Sequence, residues 1–142
     1  MTATDGSASP CVLLVEDDVD TREALEEVLA CAGYDVLAAP NGFEALRLLR
    51  AKQGPPRRSG RSARVDGDVV DVVILDLMMP VMSGWDFRAE QLSDPRLSTI
   101  PVLLMSAGAH LAAVSDELAA ADYVTKPVEV PDLLGKVARL VS

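Results

Sequence analysis

Five polar residues of this 142-residue chain are of types that do chemistry together: Glu16, Asp17, Asp76, Ser106 and Lys126. Each closes a short apolar run of the kind that forms a buried strand. Asp76 ends Val72-Val73-Ile74-Leu75, and Glu16-Asp17-Asp18 follows Val12-Leu13-Leu14-Val15. Ser106 follows Pro101-Val102-Leu103-Leu104-Met105, and Lys126 follows Tyr123-Val124-Thr125. In open α/β sheets, ligands and chemistry gather at the carboxyl ends of strands. Clustered carboxylates repel one another unless a cation neutralises them, and a hard oxygen set suits Mg²⁺. Lys126 adds a mobile positive charge and Ser106 a hydroxyl donor. A carboxylate nucleophile beside a metal, a lysine and a hydroxyl has what an aspartyl-phosphate requires. Taken alone, Asp76 reads equally as a cap for the helix after it. Asp18 reads as the cap of the first helix, and His110, the one histidine, as a surface residue.

The positioning elements follow from hydrophobic periodicity. Asp20 to Ala32 is helical, with Leu25, Val28, Leu29 and Ala32 on one face and Gly33 as its stop. Tyr34 to Ala39 reads as a strand, and Asn41-Gly42 starts a helix with Ala45, Leu46, Leu48 and Leu49 inward. Pro80 stops the Asp76 strand, Gly84 supplies a flexible position, and a helix runs from about Gly84 to Gln91. An alanine-rich helix is expected from His110 to Ala120, and a last one from near Pro131, burying Leu133, Leu134, Val137 and Leu140. Strand alternating with helix five times means a parallel sheet covered on both faces. All five chemical residues then share one edge.

Residues 1–10 read as a disordered tail. Residues 53–68, QGPPRRSGRSARVDGD, carry four arginines and one valine as the sole large apolar residue, and read as a mobile surface loop. The four arginines would suit an acidic partner, or a solvated insertion without special role. The chain is long enough for one domain with a real core. A net charge of −9 argues against direct nucleic-acid binding. No apolar run is long enough to span a bilayer and no signal peptide precedes the first strand, so a cytoplasmic location is expected. Cys11 and Cys31 have no metal-site spacing and read as buried, reduced thiols.

With these residues in view, the sequence resembles the receiver domain of two-component response regulators. The matching segments are LLVEDDVDTR, VVILDLMMPVMSGWD, PVLLMSA and ADYVTKPVE, in order and at fitting spacing from Val12 to Val141. The resemblance implies a flavodoxin-like (βα)5 three-layer sandwich whose five-stranded parallel sheet has the order 2-1-3-4-5, a fold for which a receiver protein is a known example. It makes 11–142 the receiver domain, of the stand-alone kind, since Ser142 follows directly on the fifth helix. Asp76 becomes the phosphoacceptor, fed by the phospho-histidine of a sensor histidine kinase or a histidine phosphotransfer protein. Asp17, Asp76 and the backbone carbonyl of Met78 would hold Mg²⁺, with Glu16 acting mostly through water. Ser106 and Lys126 would take phosphoryl oxygens. Tyr123 would turn inward as Ser106 moves, altering the surface of the fourth helix, fifth strand and fifth helix. The Lys126–Pro127 bond is expected to be cis. Such a protein is a signalling phosphoacceptor with slow autodephosphorylation, not a conventional enzyme. Its output is a downstream protein effector, with no direct nucleic acid and no membrane, and a phosphorylation-dependent dimer is allowed.

Three features depart from the family pattern. The linker at 53–68 is long. The stretch from Ser106 to Lys126 is slightly short, so a stunted fourth helix is expected. Met78 and Gly108 stand where relatives often carry polar side chains that steer a hydrolytic water, so a long-lived phosphoryl group is expected. Rival readings fare worse. A flavodoxin-type cofactor binder would want a phosphate-cradling first loop, where Glu16-Asp17-Asp18 would repel phosphate. A phosphohydrolase would want a general acid where Met78 stands. A receiver fold that binds partners without phosphorylation stays open at this point.

Overall fold

The computed structural model describes residues 9–53, 69–79, 81–108 and 110–141. Apolar runs too short for helices form the strands β1 (Cys11–Val15), β2 (Asp35–Ala39), β3 (Val72–Asp76), β4 (Val102–Ser106) and β5 (Asp122–Thr125). Between and after them lie α1 (Val19–Cys31), α2 (Gly42–Gln53), α3 (Gly84–Leu92), α4 (Leu111–Glu117) and α5 (Val130–Val141). All strand pairs are parallel, and the sheet order is β2-β1-β3-β4-β5. This is the α/β fold and the order that the resemblance implied.

Strand side chains alternate between two cores, one on each sheet face. Leu13, Val15, Val73, Leu75 and Leu104 pack with Ala45, Leu46 and Leu49 of α2, Phe87 of α3 and Leu111 of α4. Val12, Leu14, Ile74, Leu103 and Met105 pack with Leu25 and Leu29 of α1 and Leu133 and Val137 of α5. Buried on both sides, β1, β3 and β4 have no polar face, which explains why they read as unbroken apolar runs.

The helix ends follow their caps. Asp18 Oδ2 accepts the Thr21 N–H at 2.9 Å, Asn41 Oδ1 that of Glu44 at 2.9 Å, and Ser83 Oγ that of Asp86 at 3.2 Å. Gly33 takes φ +102 just beyond α1, a conformation that L side chains rarely adopt. α5 begins at Val130, with Pro131 in its first turn. The Lys126–Pro127 bond is cis.

Several expectations need correction. Cys31 is exposed, not buried, because α1 turns it away from Leu25 and Leu29; Cys11 is buried as expected. Ala32 is the exposed C-cap of α1, not part of its buried face. Tyr34 precedes β2 rather than belonging to it. α4 is seven residues long, shorter than His110 to Ala120, and His110 gives it no side-chain cap. Of the expected tail, residues 1–8 lie outside the described residues, while Pro10 O accepts the Asp35 N–H at 2.9 Å. Of the expected loop, Gln53 closes α2 and residues 54–68 lie outside the described residues.

The short α4 is held at its far end by a pair of buried polar side chains on α3. Arg88 Nε donates to Leu118 O at 2.9 Å, Nη2 to Ala119 O at 2.8 Å and Nη1 to Gln91 Oε1 at 2.8 Å. Gln91 Nε2 in turn donates to Leu97 O and Ile100 O. A buried guanidinium is tolerable because the chain gives it fixed acceptors.

Candidate functional site

Parallel pairing brings the strand ends to one edge. Val15 is opposite Leu75, Asp76 opposite Met105 and Ser106 opposite Thr125. Ladder-like bonds continue past the strands: Glu16 N–H to Ala39 O, Leu77 N–H to Met105 O and Lys126 N–H to Ser106 O, at 2.9 to 3.1 Å. The loop after Asp76 closes on Gly84, whose N–H donates to Leu77 O at 3.0 Å. A Cβ at Gly84 would lie 2.8 Å from Leu77 Cδ2 and 2.9 Å from Leu77 Cα. Glycine is therefore needed there for close approach of two backbones, rather than for flexibility.

Glu16, Asp17 and Asp76 each offer a carboxylate oxygen within 4.8 Å of the others. Glu16 and Asp76 are buried and Asp17 is exposed. Lys126 Nζ lies 2.8 Å from Glu16 Oε1 and donates to Asp76 Oδ2 at 3.2 Å. Glu16 Oε2 accepts the Asp18 N–H at 3.0 Å, and Asp76 Oδ1 the Met78 N–H at 3.1 Å. Buried Glu16 Oε1 has its charge contact with Lys126 but no bond of hydrogen-bonding angle. Three carboxylates that converge within 4.8 Å, with one ammonium shared between two of them, make a hard, anionic donor set that fits a divalent cation such as Mg²⁺.

Burial raises the Asp76 carboxyl to about 6, with the Glu16 charge adding to the rise and Lys126 and the Met78 N–H opposing it. Burial works against the Lys126 ammonium, but Glu16 and Asp76 outweigh it and hold the lysine above its ordinary range. The amine stays cationic, and the Asp76 carboxylate is ionised at neutral pH yet more basic than a surface aspartate.

These groups line one cleft of about 570 Å³, which also takes in Ser106, Gly108, His110 and Trp85. Ser106 Oγ accepts the Gly108 N–H at 3.2 Å. Six of the seven residues singled out by sequence thus meet at the cleft: Glu16, Asp17, Asp76, Met78, Ser106 and Lys126. Tyr123 is not among its lining residues. It is half-buried against the α2–α4 core, with Lys136 Nζ 5.4 Å from its ring centre and donating to its carbonyl at 2.7 Å. His110, read as a surface residue, is exposed and also borders the cleft. Sequence reasoning missed two participants. Trp85, 41% exposed, enters the cleft wall from the first turn of α3. Arg22 Nη1 donates to Glu16 O at 2.9 Å. Helical spacing puts Arg22 one turn past Asp18, and that was the available signal.

The sequence matches the response regulator receiver domain over residues 12–138. It is 34% identical over 128 residues to the transcriptional regulatory protein YrkP of Bacillus subtilis, covering 89% of this chain and 47% of that protein. The chain thus spans about half the length of the curated relatives it matches. Among solved structures it is similar to the chemotaxis protein CheY4 of Vibrio cholerae, with a TM-score of 0.75, 27% identity and coverage of 94% of this chain and 99% of that one. The receiver domain of the sensor histidine kinase PA1611 of Pseudomonas aeruginosa shares the fold at a TM-score of 0.74 and 23% identity, with 94% and 98% coverage, and has magnesium coordinated in its active-site cleft. On its sequence, its sheet order and its acidic cleft, the chain belongs to the response regulator receiver domain family, the phosphoacceptor signalling modules of two-component systems.

Proposed function

We propose that Asp76 is the phosphoacceptor of this chain and that the cleft transfers a phosphoryl group to it from a phospho-histidine. Support comes above all from Lys126, whose ammonium bridges the buried carboxylates Glu16 and Asp76 in the cleft. Asp17, Asp76 and the Met78 carbonyl would hold Mg²⁺, with Glu16 acting through water. When bound, the ion supplies charge neutralisation for the incoming phosphoryl oxygens. An Asp76 carboxylate oxygen forms the new O–P bond as the P–N bond to the donor imidazole breaks, and the ring nitrogen keeps the electron pair. Lys126 follows a phosphoryl oxygen with its charge, and Ser106 donates its hydroxyl to another. Tyr123 relays the change to the α4–β5–α5 face by turning inward.

The donor partner is a histidine kinase or histidine phosphotransfer protein, and the output is a contact with a downstream protein, in the cytoplasm and without direct nucleic-acid binding. Among the described residues no helix is long and apolar enough to cross a membrane. Incubation with an acyl phosphate and Mg²⁺ tests the proposal. One phosphoryl adduct is expected on the chain, and none on Asp76→Asn. An unmodified chain, or an adduct that survives the substitution, would leave the fold as a binding module and discard the phosphoacceptor role.

A further inference from the structure

Glu16 is tethered at each of its polar groups. Its N–H donates to Ala39 O at 3.0 Å, its Oε2 accepts the Asp18 N–H at 3.0 Å, and its Oε1 faces Lys126 at 2.8 Å. Its carbonyl accepts Arg22 Nη1 at 2.9 Å. That carbonyl belongs to the peptide plane joining Glu16 to Asp17. Fixing its direction fixes where the chain leaves for Asp17 and so where the Asp17 carboxylate starts. Arg22 has a rigid footing for this task. It stands in the first turns of α1, its N–H donates to Asp18 O at 2.8 Å, and Asp18 caps that same helix through Thr21.

From this geometry we propose that Arg22 is a positioning residue for the cation site, holding the turn from Glu16 to Asp18 so that the carboxylates of Glu16, Asp17 and Asp76 converge. The inference rests on the magnesium site proposed above. Charge acts in the same direction. Three carboxylates within 4.8 Å of one another push the turn open, and Lys126 alone meets only Glu16 and Asp76. A guanidinium on the carbonyl side offsets that repulsion from behind the turn without occupying a carboxylate oxygen the cation needs. Arginine suits the place because it stays charged throughout the pH range and its fork donates along a fixed direction. Arg22 is not among the residues that line the cleft, so it acts on the site through Glu16 and Asp17.

The test is a Mg²⁺ titration of the full chain, followed by calorimetry and by the fluorescence of Trp85, the single tryptophan, which lines the cleft. Groups that orient metal ligands from outside typically account for 10–100-fold in affinity. Arg22→Met, and independently Arg22→Gln, are expected to raise the Mg²⁺ dissociation constant about tenfold. Arg22→Lys, which keeps the charge, should recover part of that loss. Thermal unfolding separates this role from a merely structural one. A lowered melting temperature with Mg²⁺ affinity within twofold of the parent chain would overturn the inference. If the parent chain itself takes up no Mg²⁺, the functional reading fails and takes this inference with it; uptake by the parent and both variants alike defeats the role of Arg22 alone.

Discussion

Lys126 and Asp76 stand 50 positions apart in sequence, yet the lysine Nζ donates to the aspartate Oδ2 at 3.2 Å across the carboxyl edge of the sheet. The same ammonium lies 2.8 Å from Glu16 Oε1, so one cation serves two buried carboxylates. Lys126→Met leaves both without it. Stability at pH 7.5 is expected to fall by about 2 kcal/mol, below the cost of breaking a fully buried pair because the lysine is partly solvated. Millimolar Mg²⁺ should restore most of the loss by supplying the missing charge. Calorimetric unfolding with and without Mg²⁺ checks this, and a loss indifferent to the ion would contradict it.

Asp76 places an ionisation cost on the folded state. Burial first, and the Glu16 charge second, raise its carboxyl to about 6, against roughly 3.9 in the unfolded chain. The folded state therefore holds this proton more tightly. Its contribution to stability is full below about pH 4 and is lost as pH rises through about 6. Asp76→Asn, which does not ionise, is expected to be more stable than the parent at pH 7.5 by about 3 kcal/mol, with the advantage vanishing toward pH 4. Urea unfolding across that range reads the difference directly. A gain that does not change with pH would place the buried charge elsewhere.

The pH dependence carries over to phosphorylation. Without a cation, the Asp76 carboxyl takes up its proton below about pH 6 and ceases to be a nucleophile. A cation on Asp76 favours the ionised carboxylate, so the rate of labelling by an acyl phosphate should fall with pH at limiting Mg²⁺, and saturating Mg²⁺ should move that fall to lower pH. A fall at the same pH at limiting and at saturating Mg²⁺ would remove Asp76 from the ligand set.

Ligand linkage gives a direct reading of the cation site. Mg²⁺ at a hundredfold excess over its dissociation constant should stabilise the chain by about 2.7 kcal/mol. Asp17 is exposed, so Asp17→Asn should fold normally and lose this Mg²⁺-dependent gain. An undiminished thermal shift in that variant would remove Asp17 from the ligand set.

Met78 and Gly108 flank the proposed phosphoryl site without a polar side chain. Met78 is 69% exposed, and a Cβ at Gly108 would meet only Ser106 Oγ, at 3.6 Å. No group at either place can orient a water for attack on the phosphorus. The phosphorylated chain is expected to persist for minutes or longer, and Met78→Asn to speed phosphoryl loss on the order of tenfold. Release of inorganic phosphate after donor removal measures both; decay within seconds in the parent chain would refute the first.

The legible part of this protein was its periodicity and its strand ends. β1, β3 and β4 are apolar on both faces and could not have been mistaken for half-exposed strands. The polar residues ending them were conspicuous because nothing in a buried strand requires them. Cys31 misled because an apolar neighbourhood in sequence does not say which way a helix turns a given side chain. The end of α4 was not legible either. Small residues carry little periodicity, and it is Arg88, on another helix, that holds Leu118 and Ala119.

Order along the chain, together with residue type, was enough to determine the alternation of strand and helix, the parallel sheet and the edge on which Glu16, Asp17, Asp76, Ser106 and Lys126 fall. Those properties are local or follow from right-handed crossover connections, so one chain's pattern carries them. Only the tertiary structure decided the convergence of three carboxylates within 4.8 Å, the sharing of Lys126 between two of them and the clamp of Arg22 on Glu16 O. These depend on ångström-scale placement of side chains from separate elements. That placement is set by how the two cores pack against the sheet, and no spacing within the sequence encodes it.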